Sequence, residues 1–381
     1  MPVKRRLPDT DSEQLLELVR EICDAELRPA VDAAEAEGRF PGDIYRTLGQ
    51  TGLLGLPYPE EYGGGSLPYE VYLQVLEELA AAWLAVGIGV SVHSLACFPL
   101  ANFGTDDQRG QWLPPLLAGD QLGAYALSEP QSGSDAAALT TSAVLDGDDY
   151  IVTGTKAWTT HGSVADVIAL MVRTGDAGPA GISCLFTPVD TPGLQVQRPE
   201  RKMGAATSPT TPIVLDQARV SRSRLIGAEG EGFKIALAAL DAGRLGIAAC
   251  AVGLAQAALD LAVQYAGERE QFGRPIGTFQ GLQFMLADMA TQVAAARSLY
   301  LEAARLRDSG QPFSAAAAMA KLFATDTAMR VATDTVQVLG GYGYVSDFPA
   351  ERYFREAKVL QIVEGTNQIQ RMVIGRHLLA T

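Results

Sequence analysis

The run Gln361-Ile-Val-Glu-Gly-Thr-Asn-Gln-Ile-Gln-Arg371 joins two stretches of helical periodicity, 351–363 and 366–379. Taken alone, Glu364 reads as a helix-start carboxylate, where negative charge meets the positive end of the helix dipole. Gly365 beside it permits close approach of the backbone to another group. Upstream the pattern stays helical. Residues 231–266, 280–307 and 314–339 read as long helices, the first rich in Ala and Leu, and Gly340-Gly341 supplies a stop after the last.

Before residue 231 the texture differs. From 122 to 228 the chain is rich in Thr, Val, Gly and Pro. Residues 139–145 and 150–158 read as strand and strand about the turn Asp146-Gly-Asp-Asp149, and 167–173, 182–189 and 212–215 as further strands. Before 122 helix returns. Thr10-Asp-Ser-Glu13 has capping-box form, and Leu15, Leu18, Val19 and Ile22 follow on one face. Pro29 bends or ends that helix. Another helix, 69–83, follows the loop Tyr62-Gly-Gly-Gly-Ser66, and a shorter one, 106–117, is interrupted late by Pro114 and Pro115. The expected fold is mainly α with a middle β domain: a helical unit over 1–121, a β unit over 122–230 and a helical unit over 231–381.

Apolar residues make up 48% of the 381, enough for a large core. Lys and Arg total 30 against 44 for Asp and Glu, a net charge of −14 that argues against nucleic acid as a partner. Cys23, Cys97, Cys184 and Cys250 are far apart, and with His93, His161 and His377 they form no zinc spacing, so no metal is expected. The opening basic residues lead into the polar Pro8-Asp-Thr-Asp-Ser-Glu13 rather than an apolar stretch, which argues against a secretory signal. The apolar runs are short or interrupted by charge. A cytoplasmic protein without membrane insertion is expected.

Five segments carry a resemblance, and they occur in one order. They are Tyr125-Ala-Leu-Ser-Glu-Pro-Gln-Ser-Gly-Ser-Asp135, Lys156-Ala-Trp-Thr-Thr160, Arg269-Glu-Gln-Phe-Gly273, Gln337-Val-Leu-Gly-Gly341 and Glu364-Gly-Thr-Asn-Gln-Ile-Gln-Arg371. With them the chain resembles the acyl-CoA dehydrogenase family over nearly its whole length. The resemblance implies an N-terminal helical domain, a β-barrel-like middle domain and a C-terminal four-helix bundle. It also implies FAD between the last two, with its adenosine end reaching a neighbouring subunit of a homotetramer. An acyl-CoA substrate and an electron-transfer flavoprotein are the implied partners.

The chemistry so implied sets clear requirements. Forming a C=C bond beside a thioester needs a base for the α-proton and an acceptor for the β-hydride, and no side chain accepts hydride. Negative charge developing on the thioester oxygen must be stabilised. By resemblance Glu364 is the base, and its own backbone N–H meets that oxygen beside Gly365. Trp158 and Thr160 alternate on a strand and so share a face; the resemblance puts Trp158 on the flavin ring and Thr160 at flavin N5. Tyr125, Leu127 and Ser128 belong to the same cofactor contact, and Gly133 and Ser134 lie near the pyrophosphate, Ser134 also near the acyl-CoA. Arg269 suits a pyrophosphate because a guanidinium pairs with phosphate. Phe272 and Gln280 would border the adenosine, Gln337, Gly340 and Gly341 approach it by backbone, and Thr366 and Gln368 reach FAD after the base. Asp241 and Arg244 match positions near the thioester and pantetheine, or else form a surface helix pair. Ser91 and Leu95 are candidate acyl-pocket residues, with helix core as the competing reading.

Two departures stand out. Gly243 occupies the place where some members of the family carry the base on an earlier helix, which leaves Glu364 alone; it reads as room for substrate or as a close helix contact. Val363 precedes Glu364 where many members have Tyr, and a smaller residue there suits a branched or bulkier acid. Three other readings keep the fold: an oxidase passing electrons to oxygen, a dehydrogenase acting on a carrier-protein thioester, and a non-catalytic thioester-binding scaffold. Glu rather than Asp at 364 counts against a nitroalkane-oxidising relative.

Overall fold

The computed structural model describes residues 3, 5 and 7–379. The N-terminal helices are α1 (Thr10–Ile22), α2 (Arg28–Glu37), α3 (Gly42–Gln50), α4 (Tyr69–Ala82), α5 (Leu84–Phe103) and α6 (Asp106–Leu117). Eight strands follow: β1 (Gly123–Ala126), β2 (Ser142–Asp146), β3 (Asp149–Thr160), β4 (Val167–Arg173), β5 (Ile182–Pro188), β6 (Leu194–Val196), β7 (Thr210–Ser221) and β8 (Leu225–Ile226). Next come α7 (Gly232–Glu268), a hairpin of β9 (Glu270–Gln271) and β10 (Arg274–Pro275), then α8 (Gln280–Asp308), α9 (Ser314–Leu339), α10 (Gly341–Tyr344), α11 (Ala350–Leu360) and α12 (Asn367–Leu379).

Local chemistry accounts for several departures from the periodicity. Asp9, not Thr10, caps α1, its carboxylate accepting the Ser12 N–H at 2.7 Å. A carboxylate caps well and also suits the helix dipole. Pro29 does not end the helix. The extra residue is absorbed in a π turn over Cys23–Leu27, which leaves Pro29 in the first turn of α2, where its missing N–H is tolerated. α6 likewise runs through Pro114 and Pro115, both in its final turn. β7 extends past Leu215 through six further residues to Ser221.

The sheet order is β6-β7-β3-β2-β4-β5-β8, with β1 beside β4. β2 and β4 are joined at one register position, Ser142 opposite Arg173, so two ladders meet at a narrow seam. Their inner faces share one core, containing Tyr150, Val152, Ile168, Leu170, Leu185 and Leu215. The other face of β4 and β5 packs Met171, Cys184 and Phe186 on Leu100, Leu113 and Ile235 of the flanking helices. These strands are buried on both sides, which is why they read as continuous apolar runs. α5 and α7 are apolar enough to pass for membrane spans, but 89% and 72% of their most apolar windows are buried inside the protein. All four cysteines are buried and unbridged.

One buried charge cluster locks the helical parts together. Glu77 of α4 is fully buried and accepts from Arg297 of α8 at 2.8 Å, from Tyr300 at 2.5 Å and pairs with Arg5 at 2.7 Å. Burial pushes its carboxyl up, but Arg5 and Arg297 outweigh this and hold it at about 2. Its contribution is therefore full above the ordinary value of 4.5 and is lost as pH falls towards 2. Glu77→Gln leaves two buried guanidiniums short of a counter-charge. It should cost about 3–5 kcal/mol, read as a lowered urea midpoint at pH 7, and the difference from wild type should narrow on acidification.

Candidate active site

Glu364 lies in the turn between α11 and α12, with φ +52°, followed by Gly365 at +91°. Two successive left-handed residues turn the chain sharply and aim the glutamate side chain back at α7. There it lies over Gly243: a Cβ at 243 would stand 2.1 Å from Glu364 Oε2 and 3.2 Å from Leu95 Cδ1. The space above Gly243 is thus filled by the carboxylate itself. The residue as a whole is half-buried, but both carboxylate oxygens are buried and have no hydrogen-bond partner among the described residues. Burial pushes its pKa up to about 7, against the opposing charges of Lys321 and Arg244. A carboxylate with that value, free of partners, is poised to take a proton near neutral pH.

The turn is held from two sides. Lys321 of α9, fully buried, donates to the Gly365 carbonyl at 2.9 Å and to Asn367 Oδ1 at 3.0 Å. Gln370 of α12 donates to the same carbonyl at 2.8 Å. Asp326 accepts from Asn367 at 2.7 Å and from Gln361 at 2.6 Å. Thr366 Oγ1 accepts the Ile369 N–H at 3.3 Å, and Gln368 is exposed. Val363 is half-buried against the main core.

Gly243 and Leu95 also line a cavity of 160 Å³ together with Tyr58, Tyr69, Ser91 and Arg307. Ser91, one of its lining residues, also packs on Gly246 of α7; a Cβ at 246 would lie 2.2 Å from Ser91 Oγ. A wider channel of 730 Å³ shares Pro57, Phe98, Asn102 and Arg307 with it and reaches Asp241 and Phe313. Asp241 pairs with Arg244 one turn on and accepts from Ser314 at 2.9 Å. Arg244 Nε and the Tyr125 hydroxyl are buried without partners among the described residues. Orphaned polar atoms from β1, α7 and the Glu364 turn mark a polar ligand's site rather than a core.

The middle sheet presents its own residues outward. Between Lys156 and Thr159 the β3–β7 register slips, and Trp158, at φ +61°, is part of the resulting bulge. Its ring is 61% exposed while Thr159 is fully buried, so Trp158 is not a core tryptophan. Thr160 is half-buried beyond it. The loop after β1 is fastened to this strand: Ala157 N–H donates to the Ser128 carbonyl at 2.9 Å, and buried Lys156 reaches Glu129 at 2.7 Å and the Leu127 carbonyl at 3.1 Å. Gly133 and Ser134 are exposed at the loop's tip.

A second group of candidates lies elsewhere on the surface. Arg269, Gly340 and Gly341 line a 480 Å³ cleft with Tyr265 and Tyr342. Phe272 stands 93% exposed at the tip of the β9–β10 hairpin; Gln280 and Gln337 are exposed and outside the cleft's lining.

The comparisons with known proteins agree with this architecture. Family models for the N-terminal, middle and C-terminal domains of acyl-CoA dehydrogenase match residues 9–120, 124–218 and 230–379. The chain belongs to the acyl-CoA dehydrogenase family. An acyl-CoA dehydrogenase of Bacillus subtilis is 45% identical, covering 95% of this chain and 96% of its own. The butyryl-CoA dehydrogenase of Megasphaera elsdenii is 39% identical with TM-score 0.96, covering 99% and 100%. A chain in a structure of the electron transferring flavoprotein of Acidaminococcus fermentans, described in connection with flavin-based electron bifurcation, is 43% identical with TM-score 0.97, covering all of both chains. The protein is accordingly an FAD-dependent oxidoreductase of that family.

Sequence reading missed Lys321, Asp326, Asn367 and Gln370. Asn367 and Gln370 lie inside the quoted run, but alternate with exposed neighbours. Lys321 had one weak signal, a lone cation in the alanine-rich first half of α9. Gly243→Ala offers a direct test of the site's crowding. Alanine favours helix by about 1 kcal/mol, so thermal stability should hold or rise. With Glu364 as the base, dehydrogenase turnover should fall at least ~100-fold, because a Cβ at 243 displaces the carboxylate.

Proposed function

We propose that the chain catalyses α,β-dehydrogenation of a short acyl-CoA to its trans-2-enoyl-CoA, with Glu364 removing the α-proton. The observation that carries this is the unpartnered Glu364 carboxylate lying over Gly243, a residue that lines the 160 Å³ cavity, held near pKa 7. Its ionised form is the working one. The Glu364 backbone N–H meets the thioester oxygen and stabilises the charge that develops there. Val363 and Gly365 flank the thioester, Asp241, Arg244 and Ser134 guide the pantetheine arm, and Ser91 and Leu95 bound the acyl chain.

FAD, when bound, supplies the hydride acceptor. Trp158 and Thr160 would hold its ring, with Tyr125, Leu127, Ser128, Gly133, Ser134, Thr366 and Gln368 around it. The exposed Trp158 ring and the orphaned Tyr125 hydroxyl suit such a ligand. Across a subunit boundary Arg269 would meet the pyrophosphate, Phe272 and Gln280 would border the adenosine portion, and Gln337, Gly340 and Gly341 would approach the same cofactor by backbone. The reading divides the chain at 1–121, 122–230 and 231–381. It includes a cytoplasmic homotetramer that passes electrons to an electron-transfer flavoprotein.

Chain length follows from volume. A cavity of about 150 Å³ holds one benzene, so the 160 Å³ cavity lined by Gly243, the residue that the Glu364 carboxylate covers, suits a chain of a few carbons. The likeness to a butyryl-CoA dehydrogenase supports the same size class.

The test is anaerobic titration of the yellow protein with straight, branched and aromatic acyl-CoAs. Flavin bleaching should be fastest with short straight chains, and Glu364→Gln should slow it by ~10²–10⁴. The acid limb of kcat/KM should fall near pH 7, activity rising with pH as Glu364 ionises. A Glu364→Gln protein that bleaches at the wild-type rate removes Glu364 as base. Peroxide released in step with product would make oxygen the acceptor.

A further inference from the structure

Lys321 is a buried cation that the chemistry above does not use. Its ammonium grips two acceptors, the Gly365 carbonyl and Asn367 Oδ1, and both belong to the turn that carries Glu364. Burial, joined by the nearby Arg244 charge, brings Lys321 down to about 8 against the opposing charges of Glu364 and Asp326, so it remains protonated at neutral pH. A buried ammonium is costly unless its protons are taken up by acceptors or balanced by charge.

Few charges face the Glu364 carboxylate. From α9 comes Lys321, which itself feels the Asp326 charge. From α7 comes Arg244, already paired with Asp241, and the Cys250 thiol. Tyr69 of α4 and Tyr125 of β1 complete the surroundings, both with phenols pushed above their ordinary value by burial and so neutral. Lys321 is the cation among them without a carboxylate of its own among the described residues.

We propose that Lys321 is the positioning residue for proton abstraction: it fixes the Glu364–Gly365 backbone through the Gly365 carbonyl and sets a buried positive charge beside the carboxylate. The inference rests on Glu364 being the base. It goes further by assigning the control of that base to a different helix. The two left-handed residues need an external grip, and Lys321 and Gln370 supply it at one oxygen. The Glu364 N–H, part of the same backbone, is aimed by the same hold.

The holoenzymes of Lys321→Met, Lys321→Gln and Gln370→Leu are compared with wild type and Glu364→Gln, by the pH profile of kcat/KM and by kcat. Loss of the charge should move the acid limb alkaline by about one pH unit in both neutral Lys321 variants. Lys321→Gln keeps a donor for the Gly365 carbonyl and should lose less kcat than Lys321→Met. It also serves if the methionine protein fails to fold. Gln370→Leu removes the second grip but no charge, so kcat should fall while the limb stays in place. Neutral Lys321 variants with the wild-type limb overturn the inference. If Glu364→Gln is then inactive, the base assignment survives alone. If Glu364→Gln remains active, the base assignment itself has failed.

Discussion

A carboxylate buried without a hydrogen bond is the constraint on which the rest of the site depends. Glu364 gains nothing in stability from its position; water would solvate it better. It stays because the turn that carries it is over-determined. Lys321 and Gln370 hold the Gly365 carbonyl, Asp326 holds Asn367 and Gln361, and the main core grips Val363. The strain of a left-handed Glu, of the order of 1–3 kcal/mol, is met by that polar network. Gly243 is the complementary condition on the facing helix. Any side chain there would occupy the space that the carboxylate needs.

The same logic appears on the sheet side. Trp158 is turned outward by a bulge, and the loop that follows Tyr125's strand and bears Ser128 is bolted to β3 by the buried Lys156–Glu129 pair. Buried pairs of this kind add little net stability, but losing one partner is costly. They therefore favour one arrangement over near alternatives. In both halves a lysine without solvent contact fixes the backbone next to a candidate functional side chain.

Much of this was legible because the unusual residues stand consecutively. Taken alone, a glutamate beside a glycine between helices reads as a helix-start carboxylate and Trp158 as an equally good core residue; it is the five segments in one order that mark them as a site. The long helices were also readable, α9 at both ends, because their interiors are uninterrupted. What escaped was whatever depends on distant packing. A lone lysine in an alanine-rich helix has the appearance of a solvated face, and only the tertiary fold shows that Lys321 is wholly buried. The bulge at Trp158 leaves no mark in an alternating pattern. β1 reads Gly-Ala-Tyr-Ala, with no β-branched residue, and it is a strand because it lies parallel against β4. The polar second half of β7 is a strand for a similar reason, pairing with β3.

Substrate choice shows how far neighbouring residues differ in reach. Val363 is next to the base, yet it is not among the residues lining the 160 Å³ cavity; it packs on the main core. The cavity is lined by Ser91, Leu95 and Gly243, and Ser91 also touches Gly246 across the α5–α7 contact. On the proposed reading, chain length is then a property of the α5–α7 contact. Two helices that approach over a glycine and a serine cannot part to admit a longer chain without exposing the apolar core they share. On the same reading Val363 bears instead on the width beside the thioester, where branching at the α or β carbon would be felt. The proposed pocket would then have two separate controls, one on length between the helices and one on bulk at the turn, the second in the same few residues that hold the proposed base.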